Sequence, residues 1–143
     1  MTTTALRPLR GLLLEDSEND ALLLARHLRR GGYELEFERV ETQDAFERAL
    51  DRGLWDVVFA DYVLPGYSGL TALKEVQKRE LDLPFIVVSG KIGEETAVEA
   101  MKAGAHDYVM KSNLTRLASA VERELRESSR RHDRRLARKQ LAL

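Results

Sequence analysis

The 143-residue sequence has no cysteine, which excludes disulfides and thiolate metal sites and suits a reducing compartment. No apolar run approaches the roughly 18 residues needed to cross a bilayer. The first ten residues lack the apolar core of an export signal, so the expected location is the cytoplasm. No internal repeat or low-complexity segment precedes the C-terminal tail. His27, His106 and His132 are scattered, without metal-ligand spacing. Apolar residues make up 43% and charged residues 33%, a balance that supports one folded domain with one core.

The net charge of −1 is unevenly distributed. From Arg126 onward, seven basic residues (Arg126, Arg130, Arg131, Arg134, Arg135, Arg138, Lys139) face only Glu127 and Asp133. The tail therefore carries +5 and the remainder −6.

Leu12–Leu14 is a short apolar run that stops at Glu15-Asp16, as a strand buried on both faces would. Ser17, Asn19 and Asp20 are candidate helix caps. Leu22, Leu23, Leu24 and Leu28 follow at helical spacing until Gly31-Gly32. Leu35, Phe37 and Val40 fit a second strand, and Ala45, Phe46, Ala49 and Leu50 a short helix ending near Gly53. Val57–Ala60 is a third strand ending in Asp61, with a loop at Pro65-Gly66. Leu70, Leu73 and Val76 share a helical face. Phe85–Val88 forms a fourth strand ending in Ser89-Gly90, and a helix over 94–103 closes at Gly104. Tyr108–Met110 is a fifth strand ending in Lys111. Leu114, Leu117, Val121 and Leu125 make the stripe of a last helix. Trp55 reads as a structural residue at a strand entrance. Five strand–helix units in alternation predict an α/β fold, a doubly wound parallel sheet with helices on both faces.

In such a sheet the strand ends line one edge, where open α/β sheets bind ligands. Glu15, Asp16, Asp61, Ser89 and Lys111 should therefore converge. Three neighbouring carboxylates repel one another and call for a cation. An oxygen-only ligand set selects a hard ion, and magnesium suits a site with few carboxylates. An aspartate beside the ion can act as a nucleophile toward phosphorus. A lysine and a hydroxyl can then bind the new phosphoryl oxygens. The pattern is that of phosphoryl transfer to a carboxylate.

Taken in order, Glu15-Asp16, the stretch from Asp61 through Pro65-Gly66 to Gly69, Ser89-Gly90, and Asp107-Tyr108 through Lys111 resemble the receiver domains of response regulators. The resemblance implies a five-stranded sheet of flavodoxin-like order 2-1-3-4-5 over residues 1–125, with 126–143 as a basic helical extension. It implies Asp61 as phosphoacceptor. Asp16 would be the direct magnesium ligand, Glu15 assisting through water and the backbone carbonyl of Val63 completing the set. Lys111 would be the charge partner, and Ser89 and Tyr108 the switch pair, moving inward on phosphorylation. A histidine kinase or phosphotransfer protein would supply the phosphoryl group, and an output protein would read it.

Homodimerisation is open, and membrane and nucleic-acid partners are not expected. The expected chemistry is the chain's own phosphorylation and dephosphorylation rather than turnover. A haloacid-dehalogenase-like phosphatase would carry a second aspartate where Val63 stands. A silent interaction module would not need the full polar set. A receiver fragment of a hybrid kinase or other multidomain regulator is the alternative setting. The tail reads equally as a solvated, fraying helix or as a connector.

Two departures from the family pattern and two of its variable positions stand out. Ser112 replaces the proline that often follows the lysine, which predicts a trans Lys111–Ser112 bond and a shifted loop. Gly90 should leave the site entrance open. Val63 and Lys91 occupy the positions that tune phosphoryl lifetime, and Val63 offers no hydrogen bond to orient an attacking water, which predicts slow self-dephosphorylation.

Overall fold

A computed structural model describes residues 6–90 and 94–142. The expected strands form one parallel sheet. β1 (Arg7–Leu14), β2 (Tyr33–Val40), β3 (Val57–Ala60), β6 (Phe85–Ser89) and β7 (Asp107–Met110) lie in the order β2-β1-β3-β6-β7. A two-stranded hairpin, β4 (Val63–Leu64) and β5 (Tyr67–Ser68), lies outside this sheet. Setting it aside, the order is the expected 2-1-3-4-5. Lys91 lies outside the described residues.

Alternation along the strands builds two cores. Leu9 and Leu13, Val57 and Phe59, and Ile86 and Val88 pack on one face with α1 (Glu18–Arg30) and α5 (Leu117–Ala142). Leu12 and Leu14, Val58 and Ala60, and Phe85 and Val87 pack on the other. There they meet α2 (Gln43–Arg52), α3 (Gly69–Lys78) and α4 (Glu94–Ala103). Each central strand contributes to both cores because its side chains alternate, so every residue of β3 and β6 is buried.

Local chemistry starts and stops the helices. Ser17, Thr42 and Ser68 cap α1, α2 and α3, each accepting a backbone N–H at 3.2 Å. At the end of α1, a Cβ on Gly31 would lie 2.3 Å from Cβ of Ala118. That close approach is why the helix end can rest on α5.

Two expectations are corrected. Leu22 and Leu23 are 52% and 46% exposed, because only the Ala21, Leu24, Ala25 and Leu28 side of α1 faces the sheet. Leu114 belongs to a 3-10 turn, Lys111–Arg116, which precedes α5. The last helix, α5, runs from Leu117 past Leu125 to Ala142.

The continuation of α5 is tied to the opposite edge of the sheet from Asp61. Asp82, just ahead of β6, accepts Arg131 at 3.0 Å and forms an ion pair with Arg135 at 2.8 Å. Burial opposes the charge on Asp82, but the hydrogen bonds from Arg131 and Arg135 outweigh it and hold the carboxyl below its ordinary value. Beside them, Nδ1 of His106 accepts the Phe85 N–H at 2.9 Å, while the His106 N–H donates to the Phe85 carbonyl at 2.9 Å. That bond requires a neutral imidazole with its proton on Nε2. Burial, reinforced by Arg131, pushes the His106 pKa below its ordinary value.

Two outcomes follow. Because the pKa of His106 is depressed in the fold, its contribution to stability is full above the unfolded value, about 6.5, and declines as pH falls from there through the folded value. Denaturant titrations from pH 8 to pH 5 should show this loss, and His106→Asn should flatten it. Asp82→Asn should accelerate amide hydrogen exchange over residues 126–142 by up to roughly tenfold, since each partly exposed pair is worth about 0.2–1 kcal/mol.

Candidate functional site

The register of the sheet assembles the site. Leu14 pairs with Ala60 across β1 and β3, and the Asp61 N–H donates to the Leu14 carbonyl at 2.9 Å. Glu15-Asp16 and Asp61 therefore leave neighbouring strands side by side. Ser89 pairs with Met110 across β6 and β7, which places the hydroxyl and Lys111 along the same edge. One carboxylate oxygen from each of Glu15, Asp16 and Asp61 lies within 4.8 Å of the others, the one such acidic or histidine group among the described residues. Glu15 and Asp61 are buried, at 7% and 9% exposure, and Asp16 is open to solvent. An all-oxygen, carboxylate-rich set of this kind fits a hard divalent ion such as magnesium.

Lys111 binds this cluster together. Its Nζ lies 2.8 Å from Glu15 Oε2, 2.7 Å from Asp20 Oδ2 and 2.9 Å from Asp61 Oδ2, so its three N–H donors each have a carboxylate. Burial works against the ammonium, but the bonds to Asp20, Glu15 and Asp61 outweigh it and push Lys111 above the ordinary lysine value. Burial also pushes the Glu15 carboxyl up, only partly offset by Lys111 and the Ser17 N–H. Glu15 accepts that N–H at 3.0 Å.

Ser89 Oγ donates to Asp61 Oδ1 at 2.9 Å, so the hydroxyl already faces the carboxylate and needs no inward movement to reach it. The Tyr108 hydroxyl is buried without a hydrogen-bond partner. Burial, and then the charge of Asp61, push its pKa up. The Val63 N–H points to Asp61 Oδ1 at 3.4 Å, and the Val63 side chain is 67% exposed. A Cβ on Gly69 would lie 2.6 Å from the Asp61 carbonyl oxygen. Only glycine therefore lets α3 start this close behind Asp61. A Cβ on Gly90 would make ordinary contact with Lys111 Cδ at 3.5 Å, so its absence leaves the lysine stem uncovered.

The Lys111–Ser112 bond is trans, there being no cis peptide among the described residues. The chain turns at once into the 3-10 segment, where Asn113 is non-helical. Trp55 donates to the Ala49 carbonyl at 2.8 Å and lies far from this edge, at the entrance to β3.

Asp20 was legible only as a candidate cap. Ser17 alone caps α1, and Asp20 turns to Lys111 instead. Its signal was an acid in the first turn of the helix that leaves the acidic edge.

The chain belongs to the response regulator receiver domain family, whose model matches residues 12–122. It is 33% identical to the transcriptional regulatory protein RprY of Bacteroides fragilis over 72% of this chain and 43% of that protein. It is 29% identical to the chemotaxis protein CheY of Thermotoga maritima over 71% of this chain and 84% of that one. The structure of NtrX from Brucella abortus superposes with a TM-score of 0.80 at 29% identity, covering 94% of this chain and 30% of that one. The receiver domain protein from Clostridium thermocellum matches in fold, with a TM-score of 0.74 at 22% identity over 85% and 97% of the two chains. The chain spans less than half the length of the transcriptional regulators RprY and PhoB that it matches. Among the described residues, no helix is long and apolar enough to cross a membrane.

Removing the shared ammonium should expose the repulsion it suppresses. Lys111→Ala should lower stability at pH 7 by roughly 3 kcal/mol, the scale for leaving buried charges unpaired. Much of that loss should return on adding millimolar magnesium or on lowering the pH enough to protonate one carboxyl. Thermal unfolding across pH and magnesium concentration checks both.

Proposed function

We propose that this receiver is a magnesium-dependent phosphoacceptor of a two-component system, with Asp61 as the modified residue. The observation that carries the reading is the buried Asp61 carboxylate held between the Ser89 hydroxyl and the Lys111 ammonium, beside the acidic group with Glu15 and Asp16. Asp61 Oδ attacks the phosphorus of a phosphohistidine on a histidine kinase or phosphotransfer protein. The P–N bond breaks, and the imidazole leaves with the electron pair.

Magnesium held by Asp16, Asp61, the Val63 backbone carbonyl and, through water, Glu15 would neutralise charge on the transferring oxygens. Lys111 keeps its bond to the Asp61 side and follows the phosphoryl oxygens, while Ser89 donates to another. Modification replaces the single negative charge of the carboxylate with a phosphoryl group that carries close to two. The state that contacts the new oxygens best gains population, by no more than those differential contacts supply.

Ser89 and Tyr108 form the switch pair in this reading. Their present positions, with Ser89 bonded to Asp61 and the Tyr108 hydroxyl buried, support an inward arrangement that exists before modification. Phosphorylation then acts by stabilising it. The receiver spans residues 1–125, and 126–143 is a connector. The clamp of Arg131 and Arg135 on Asp82 supports the connector over the fraying reading. A change in the domain could be passed along a helix held against the domain as far as Arg135. The chain acts as a cytoplasmic signalling element that processes only its own phosphoryl group and hands its state to an output partner. The absence of a second aspartate at position 63 speaks against phosphatase turnover.

Incubation with acetyl phosphate and magnesium should add one phosphoryl group to the intact mass of the wild type and none to Asp61→Asn. No gain in the wild type would remove the phosphoacceptor reading. The exposed, non-hydrogen-bonding Val63 side chain leaves the attacking water unoriented, so Val63→Asn should speed phosphoryl loss several-fold. An unchanged decay rate would overturn that role.

A further inference from the structure

Asp20 is the one partner of Lys111 that belongs neither to the acidic metal group nor to the nucleophile. It sits in the first turn of α1, with its backbone N–H on the capping Ser17 Oγ at 3.2 Å. Its carboxylate reaches Lys111 Nζ at 2.7 Å, the shortest of the three contacts. Its side chain is 37% exposed, against 10% for Glu15 and 11% for Asp61.

The donors of Lys111 are all taken. An incoming phosphoryl oxygen can gain the ammonium only if a carboxylate gives up its place or shares it. Asp61 gives up its charge when its oxygen becomes an acyl phosphate. Glu15 has an alternative partner in a cation. Asp20 undergoes neither change, so its negative charge remains beside the ammonium.

We infer that Asp20 is a positioning residue that tunes the site: it holds Lys111 toward the sheet edge and adds a fixed negative charge that favours the cation and opposes the phosphoryl dianion. The inference deepens the receiver reading and rests on it. Asp20 and Asp61 bond the same nitrogen, so their charges are within two hydrogen-bond lengths of each other. At that separation a unit charge changes an ion's affinity several-fold even with strong solvent screening. The sign differs for the two ligands. Removing the charge weakens binding of a cation at Glu15, Asp16 and Asp61. It also strengthens binding of an anion on Asp61, and it frees a donor of Lys111 for that anion. An anchor that only steadied α1 or the lysine would weaken both.

The test is calorimetric titration of the full chain, first with magnesium alone and then with beryllofluoride at saturating magnesium. Wild type, Asp20→Asn and Asp20→Ala are compared, with thermal unfolding as a check that each variant is folded. Both variants should bind magnesium about three- to tenfold more weakly and beryllofluoride about three- to tenfold more tightly than wild type. Loss of both affinities, or no change in either, while the wild type binds both ligands, would overturn the inference and leave the receiver reading intact. A wild type that binds no beryllofluoride in the presence of magnesium would take both down.

Discussion

One ammonium shared by three carboxylates is the constraint around which this molecule is organised. Glu15, Asp20 and Asp61 come from separate elements, and their mutual repulsion grows as burial removes water from between them. Lys111 arrives at the end of β7 and meets all three. Without it, the edge of the sheet would be held by hydrophobic packing against its own electrostatics. With it, the same repulsion becomes a reservoir that a divalent cation or a change in charge on Asp61 can draw on. A site that is stable yet responsive to one added phosphoryl group needs that near-balance.

The parallel sheet makes the constraint possible. Four strands bring their carboxyl ends to one edge because the helices return the chain to the other edge each time. Two cores, one on each face, fix the height and tilt of every strand. The side chains beyond the strand ends are thereby placed by packing far from them. Gly69 shows how tight that placement is, since even a methyl group there would strike the Asp61 backbone.

At the opposite edge a second polar group does a different job. Asp82, His106, Arg131 and Arg135 join the loop before β6, the entry to β7 and the long α5 helix. β6 and β7 are the strands that carry Ser89 and lead to Lys111. The basic helix is therefore linked by rigid strands to the residues that meet Asp61. The exposed Leu136 and Leu141 show that the last turns of that helix have no partner within the described residues, so the Asp82 clamp rather than a hydrophobic stripe orients them.

Much of this was legible in the sequence. Strand periodicity, the cap Ser17, and the abrupt change from apolar runs to Glu15, Asp61, Ser89 and Lys111 encode the sheet and its polar edge. These are local signals, carried by neighbours in the chain. The β4–β5 hairpin escaped because its strands are two residues each, too short for a periodic signal. Asp20 was read as a cap because local geometry allows it, and only the arrival of Lys111 from 91 residues away gives it a different partner. The tail looked unsupported because Arg131 and Arg135 find Asp82 across the fold. The inward setting of Ser89 and the orphaned Tyr108 hydroxyl depend on side-chain rotation within a formed core. By itself, then, the sequence determined which residues reach the reactive edge, since chain order and alternation place them there. The tertiary structure decided how their charges are shared, since that depends on distances no local pattern records.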